Sequence, residues 1–203
     1  MDLLIATGNP GKVKEFREML GNDRFTWHDL TQMPHLQTVP ETGETFRANA
    51  CLKATGYALQ AKMWALADDS GLEVDALQGK PGVYSARWAQ LNHSGFGDAD
   101  NNATMLRQIA EIPESRRTGR FVCVLALADP QGRIILTARD TVEGRILREP
   151  RGNNGFGYDP LFFIESMGRT TAELLPDEKH RISHRGKALR RLREMMEAVT
   201  LSA

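Results

Sequence analysis

Trp64-Ala65-Leu66-Ala67-Asp68-Asp69-Ser70-Gly71-Leu72 is the stretch on which the reading of this chain turns. A short apolar run ends in two adjacent carboxylates, a hydroxyl and a glycine. Trp64 to Ala67 reads as a buried strand, and Ser70-Gly71 as the turn that closes it. Successive strand side chains point to opposite faces, so Asp68 and Asp69 are expected on different faces unless the strand is already turning. One of them then looks into a site at the strand's carboxyl end, where open α/β sheets bind ligands. Asp-Asp-Ser-Gly is also ordinary turn chemistry, with Asp68 as a cap and Asp69 solvated. On these residues alone the two readings are balanced.

Towards the N-terminus, Asp2 to Ala6 reads as a buried first strand and Thr7-Gly8-Asn9-Pro10-Gly11 as a turn. Lys12 to Leu20 follows as an amphipathic helix with Val13, Phe16 and Leu20 inward. Strand, glycine turn and helix is the layout that aims backbone N–H groups at an anion. Lys12 and Lys14 lie in the first helical turn, where cations oppose the helix dipole. A bound phosphate would supply the missing compensation. The spacing is not that of a Walker A loop, because the gap between the glycines is too short and Val13 follows the lysine.

Phe25 to Asp29 is expected as a second strand and Leu30 to Thr42 as a polar loop. A helix is predicted from Glu44 to about Lys62, with Phe46, Ala50, Leu52, Ala54, Tyr57 and Ala58 as its apolar surface. Asn49 and Lys53 are four residues apart and share a face, which by itself fits a solvated stripe. Glu41 precedes the helix start. It either compensates the helix dipole or, if its loop folds towards Asp69, supplies a second metal-binding carboxylate.

Beyond the acidic pair come tight turns from Gly79 to Trp88, then a helix from Asp98 to Ile112 with Ala99, Ala103, Leu106, Ile109 and Ala110 on one side. Phe121 to Ala128 is a strongly apolar strand. A type I turn at Asp129-Pro130-Gln131-Gly132 leads into a strand from Arg133 to Leu147, bent or bulged near Gly144. In Gly155-Phe156-Gly157-Tyr158-Asp159, glycines on both sides of Phe156 permit close approach to a flat ligand on which the ring can stack. A glycine-rich loop with purely structural aromatics has the same composition. Short helical turns are expected around Pro176. A last helix starts near Ser183, with Ala188, Leu189, Leu192, Met195, Met196 and Val199 inward. His184 and Arg185 again put cations at the positive end of a helix, and a fork-shaped donor to a base carbonyl or phosphate accounts for Arg185 there.

The 203 residues fit one domain, 1–203, of two intimate lobes. Lys+Arg and Asp+Glu are both 26, so no bulk charge favours nucleic acid or an anionic membrane as partner. Cys51 and Cys123 lack metal-type spacing and read as buried thiols, which suits a reduced, cytoplasmic setting. No basic region precedes the first strand and no apolar run approaches membrane-spanning length.

Cations on a glycine turn, acids for a metal, a stacking ring and directed donors together fit a nucleoside triphosphate. The chain resembles the inosine triphosphate pyrophosphatases, which act on non-standard purine triphosphates (ITP, dITP, XTP). The resemblance is carried by Thr7-Gly8-Asn9-x-x-Lys12-x-x-Glu15, Glu41-Thr42-Gly43, Asn49-Ala50-x-x-Lys53-Ala54, Ala67-Asp68-Asp69-Ser70-Gly71, Pro81-Gly82-Val83-Tyr84-Ser85-Ala86-Arg87, Gly155-Phe156-Gly157-Tyr158-Asp159-Pro160 and Ser183-His184-Arg185-Gly186, in family order over almost the whole chain. Pro40 stands where bacterial members often carry a second acid, and the turn from Asn92 to Asp98 is longer. The resemblance implies an α/β fold with a mixed twisted sheet and flanking helices, two lobes around a central substrate cleft, and a homodimer. It implies hydrolysis between the α and β phosphates, giving monophosphate and pyrophosphate with Mg²⁺. Thr7, Gly8, Asn9, Pro10, Gly11 and Lys12 would hold the phosphates with Lys53. Asp69 would be the base or a metal ligand, with Glu41 and Asp68 beside it, and Ser70 would touch substrate. Phe156, Gly157, Tyr158, Asp159, Lys179, His184 and Arg185 would form the base pocket. A nucleotide-binding regulatory protein without hydrolytic activity is the alternative, and it would not need the acids.

Overall fold

The computed structural model describes residues 2–20 and 25–198. Seven strands, β1 (Asp2–Ile5), β2 (Thr26–Asp29), β3 (Trp64–Val74), β4 (Thr118–Ala128), β5 (Ile134–Ile146), β6 (Phe162–Ile164) and β7 (Arg169–Thr170), hydrogen-bond in the order β2-β1-β3-β4-β5-β6-β7. β1 runs parallel to β2 and β3, whereas β6 is antiparallel to β5 and β7. The described helices are α1 (Pro10–Leu20), α2 (Phe46–Ala61), α3 (Trp88–Leu91), α4 (Gly97–Gln108), α5 (Pro176–Ile182) and α6 (His184–Ala198). The α/β fold with a mixed sheet and flanking helices is the one expected.

The chain forms two compact units. One holds the residues up to Asp69, Cys123–Asp140 and the residues from Arg185 on; the other holds Ser70–Val122 and Thr141–His184. The first has a core of Leu3, Ile5, Phe16, Trp64, Leu66, Cys123, Leu125 and Leu127, against which α6 lays Ala188, Leu189 and Leu192. Met195 and Met196 pack on it partly buried, while Val199 and the Leu20 side chain lie outside the described residues. The second core gathers Leu72, Val74, Met105, Ile109, Phe121, Tyr158, Leu161 and Phe162.

β3 corrects the reading of its own sequence. It does not turn at Ser70-Gly71 but continues to Val74. Leu72 and Val74 are both fully buried, so the period-two pattern resumes beyond the polar stretch and supports a longer strand. The Leu72 N–H, moreover, donates to Ser85 Oγ at 2.9 Å.

Helix bounds shift slightly. Asn9 accepts the Lys12 N–H on its Oδ1 at 3.1 Å and Pro10 opens α1, so that helix starts earlier than the lysines indicate. α2 begins after Thr45, whose hydroxyl accepts the Ala48 N–H. Leu52 is exposed rather than part of its apolar face. α4 ends at Gln108 and buries Asn101, Thr104 and Met105 instead of Ala99 and Ala103. Asn101 accepts the Ala89 N–H, and a buried face that includes such polar residues escapes a search for apolar periodicity. Gly144 marks a close approach, since a Cβ there would lie 2.8 Å from Phe162 ring carbons. Cys123 is buried but Cys51 only partly so. No helix among the described residues is long and apolar enough to cross a membrane.

Candidate active site

In the first unit, strand alternation sends the two acids to different partners. Asp68 is fully buried. It accepts from Lys12 Nζ, from Arg185 Nε at 3.0 Å and from Cys123 Sγ at 3.1 Å. Arg185, only 2% exposed, also pairs through Nη1 with Glu15. Burial would raise the Asp68 carboxyl, but Arg185 and Lys12 outweigh it and hold it well below the usual carboxylate range. The same carboxylate, after burial itself, pushes the Cys123 thiol far up, so this cysteine is no nucleophile.

Asp69 faces a different set. Its Oδ1 accepts from Lys53 Nζ at 3.1 Å, and Lys53 also donates to Glu41 Oε1 at 2.9 Å. Its Oδ2 is buried with no hydrogen-bond partner among the described residues. Burial raises the Asp69 carboxyl, and Lys53 and Lys12 offset that only in part. Lys53 is itself buried, which works against its charge, but Asp69 and Glu41 prevail and keep it protonated. The solvated face expected for Asn49 and Lys53 is therefore not observed. Both are buried, Asn49 completely.

The glycine turn is open. Gly8 is exposed and a Cβ there would meet nothing within 4 Å. The lysines at the start of α1 divide: Lys14 is exposed and lies near Glu18, whereas Lys12 is turned onto Asp68. The compensation that the sequence sought from an anion is supplied to Lys12 by a carboxylate.

In the second unit, the Gly155–Asp159 loop is braced from several sides. Gly155 and Gly157 take positive φ of 78° and 62°, backbone geometry that glycine adopts without strain. Asp159 accepts the Phe156 N–H at 2.9 Å, the Thr171 hydroxyl at 2.8 Å and Lys179 Nζ at 2.7 Å. The Lys179 ammonium lies 5.0 Å from the Phe156 ring centroid. Gly157 donates its N–H to Asp98 at 2.6 Å and accepts from Asn102 at 2.9 Å. Tyr158 is buried in the core, its hydroxyl donating to the Ser85 carbonyl, and burial pushes its phenol well up. His184 is buried and stacked on Phe121 at 4.9 Å. Phe156 stays half-buried and Ser70 intermediate in exposure.

The structure thus brings Lys12, Asp68, Arg185 and Glu15 into one cluster, Lys53, Asp69 and Glu41 into another, and Phe156, Asp159 and Lys179 into a third. Sequence reasoning did not single out Asp98 and Asn102 as support for the aromatic loop. Their position near the start of a helix was the available signal, but nothing linked it to a residue more than fifty positions on.

Fold and site elements together define a member of the Ham1 family, to which the chain belongs: the family model matches residues 3–195. The chain is 51% identical to the dITP/XTP pyrophosphatase of Exiguobacterium sibiricum over 192 residues, 95% of both chains. It is 46% identical to that of Thermosynechococcus vestitus over 197 residues, 97% of this chain and 95% of the other. Among solved structures, a HAM1 protein from Coxiella burnetii superposes with a TM-score of 0.87 at 39% identity, covering 98% of this chain and all of that one. The Ham1 protein of Staphylococcus aureus gives 0.84 at 35%, covering 98% and 99%.

Proposed function

We propose that this chain is a nucleoside-triphosphate pyrophosphatase that hydrolyses ITP, dITP and XTP to the monophosphate and pyrophosphate. The observation that carries this is Asp69, a buried carboxylate with one oxygen on Lys53 and the other without a hydrogen-bond partner among the described residues. The names of the relatives support the substrate class.

The residues fit Mg²⁺. Mg²⁺ keeps several waters and takes one or two carboxylates plus substrate phosphates. The buried Asp69 Oδ2, which has no hydrogen-bond partner among the described residues, is a carboxylate oxygen of that kind, beside Glu41 on the shared Lys53. Asp69 and Glu41 would hold it, Asp69 through its Oδ2. When bound, such an ion neutralises charge developing on the phosphates. Asp69 orients or deprotonates the attacking water. Lys53 keeps the carboxylates in place, and Lys12 with the Thr7–Gly11 turn and the N-terminus of α1 takes phosphate oxygens. Ser70 contacts the substrate.

The purine goes to Phe156, with Gly157, Tyr158, Asp159, Lys179 and His184 shaping its surroundings. Phe156 stacks without regard to base identity. Lys179, held by Asp159, offers a donor to a 6-keto oxygen, whereas the 6-amino group of adenine would meet donor with donor, leaving both unpaired at a cost of about 1–3 kcal/mol. Arg185, the buried cation that holds Asp68, completes this base pocket beside His184. A homodimer in the cytoplasm completes the proposal. Exposed Phe96 and Leu91 in the second unit are suited to a second copy, and thiols stay reduced in that compartment.

Hydrolysis in ¹⁸O-labelled water tests the reaction. Label is expected in the monophosphate alone, as attack at the α phosphorus requires. Label in pyrophosphate, or release of diphosphate and orthophosphate, would contradict it. Lys12→Ala is expected to weaken binding of every triphosphate about tenfold, from loss of a charge-assisted contact, without changing base preference. A shift in the ITP-to-ATP ratio, measured by kcat/KM, would remove Lys12 from the phosphates. Phe156→Ala should cost about 1–3 kcal/mol of stacking for ITP and ATP alike; a loss confined to one base would assign the ring a reading role instead.

A further inference from the structure

Asn49 is fully buried on α2, one helical turn before Lys53. Its Oδ1 accepts the Gly43 N–H at 2.7 Å. A backbone N–H can only donate, so this bond sets the amide's orientation and leaves Nδ2 on the far side. Nδ2 is buried and has no acceptor among the described residues. A donor stranded in this way lowers stability, and an apolar side chain of equal size would avoid the loss. The fold keeps the amide nonetheless.

What the amide secures is the segment before α2. Gly43 lies so close to the helix that a Cβ would come within 2.6 Å of Ala48 Cβ and 2.8 Å of Asn49 Oδ1. Two residues earlier, Glu41 Oε1 is bound at 2.9 Å by Lys53, which also holds Asp69 at 3.1 Å. Asn49 and Lys53, on one face of α2, therefore grip Glu41-Thr42-Gly43 at both ends, one by its backbone and one by its carboxylate. We propose that Asn49 is a positioning residue: its Oδ1 anchors Gly43 so that Glu41 stands ready as the second carboxylate for the divalent cation. This rests on the metal reading given above. Groups that orient metal ligands without touching the ion typically govern affinity by about 10–100-fold.

The test is Mn²⁺ affinity, read by electron paramagnetic resonance in the presence of α,β-methylene inosine triphosphate, which is not hydrolysed. Asn49→Leu keeps the volume and removes the acceptor. It is expected to raise the Mn²⁺ Kd about tenfold, while Asn49→Asp, which retains an oxygen for the Gly43 N–H, stays close to wild type. Gly43→Ala forces the segment off the helix without altering the amide and is expected to weaken Mn²⁺ to a similar degree, which keeps the test open should Asn49→Leu fold poorly. An unchanged Mn²⁺ Kd in folded Asn49→Leu, or an equal loss in Asn49→Asp, would overturn the role of Asn49. Wild-type protein that binds no Mn²⁺ beside the analogue would instead remove the metal reading itself.

Discussion

Asp69→Asn is expected to lower kcat for ITP about 10³-fold, the range assigned to a positioned general base, with KM little changed. The substitution is isosteric and leaves an oxygen for Lys53, now at 3.1 Å from Asp69 Oδ1, so the fold and most ground-state contacts survive. What disappears is the charge on a buried carboxylate that acts chiefly in the transition state. Single-turnover kinetics on the purified variant, with nucleotide binding measured separately, check this. A kcat within tenfold of wild type, or a loss seen only in KM, would remove Asp69 from the chemistry.

Arg185→Ala is expected to destabilise the protein by about 3–5 kcal/mol, the usual effect of removing one partner from a buried ion pair. Asp68 and Glu15 would both lose their guanidinium partner, although Lys12 and the Cys123 thiol still reach Asp68. Arg185→Lys should recover little of this, because one ammonium cannot reproduce a fork that serves two carboxylates. The pH dependence has a definite sign. Asp68 is held below its ordinary value of 3.8, so its contribution is present above that pH and is lost as pH falls through the lower, folded value. Urea denaturation at neutral pH measures the destabilisation. Normal stability together with a narrowed gap between ITP and ATP would contradict the ion-pair role and leave Arg185 to the base pocket alone.

The same network sets the expectation for Asp68. Alternation along β3 does send it away from Asp69, as the spacing implies, but not into a neutral position. It holds the lysine of the glycine turn. Asp68→Asn is therefore expected to impair stability and phosphate binding together.

Legibility in the sequence followed the range of the interaction. Strands such as Phe121 to Ala128 were readable because burial there is continuous, and the Gly155–Asp159 loop because glycines at positive φ leave a compositional trace. β3 was cut short because Ser70-Gly71 has the composition of a turn, while the buried Leu72 and Val74 that extend the strand become decisive only once their core exists. Asn49 and Lys53 looked like a solvated face because helical spacing says which residues share a face, not what covers it. Arg185 was legible as an anomaly, a cation at a helix start, but its partners Glu15 and Asp68 are 170 and 117 residues away. Charge pairing at that distance has no local signature. Asp98 and Asn102, which hold Gly157, were missed for the same reason.

The central claim is hydrolysis of ITP, dITP and XTP to monophosphate and pyrophosphate, and a substrate panel tests it most directly. Initial rates of pyrophosphate release would be measured with ITP, dITP, XTP, GTP and ATP in the presence of Mg²⁺. The account predicts equimolar monophosphate and pyrophosphate, with kcat/KM for ITP, dITP and XTP exceeding that for ATP by about 10⁴, as expected where a buried donor would be left unpaired by the wrong base. Equal turnover of ITP and ATP, or orthophosphate in place of pyrophosphate, would contradict it.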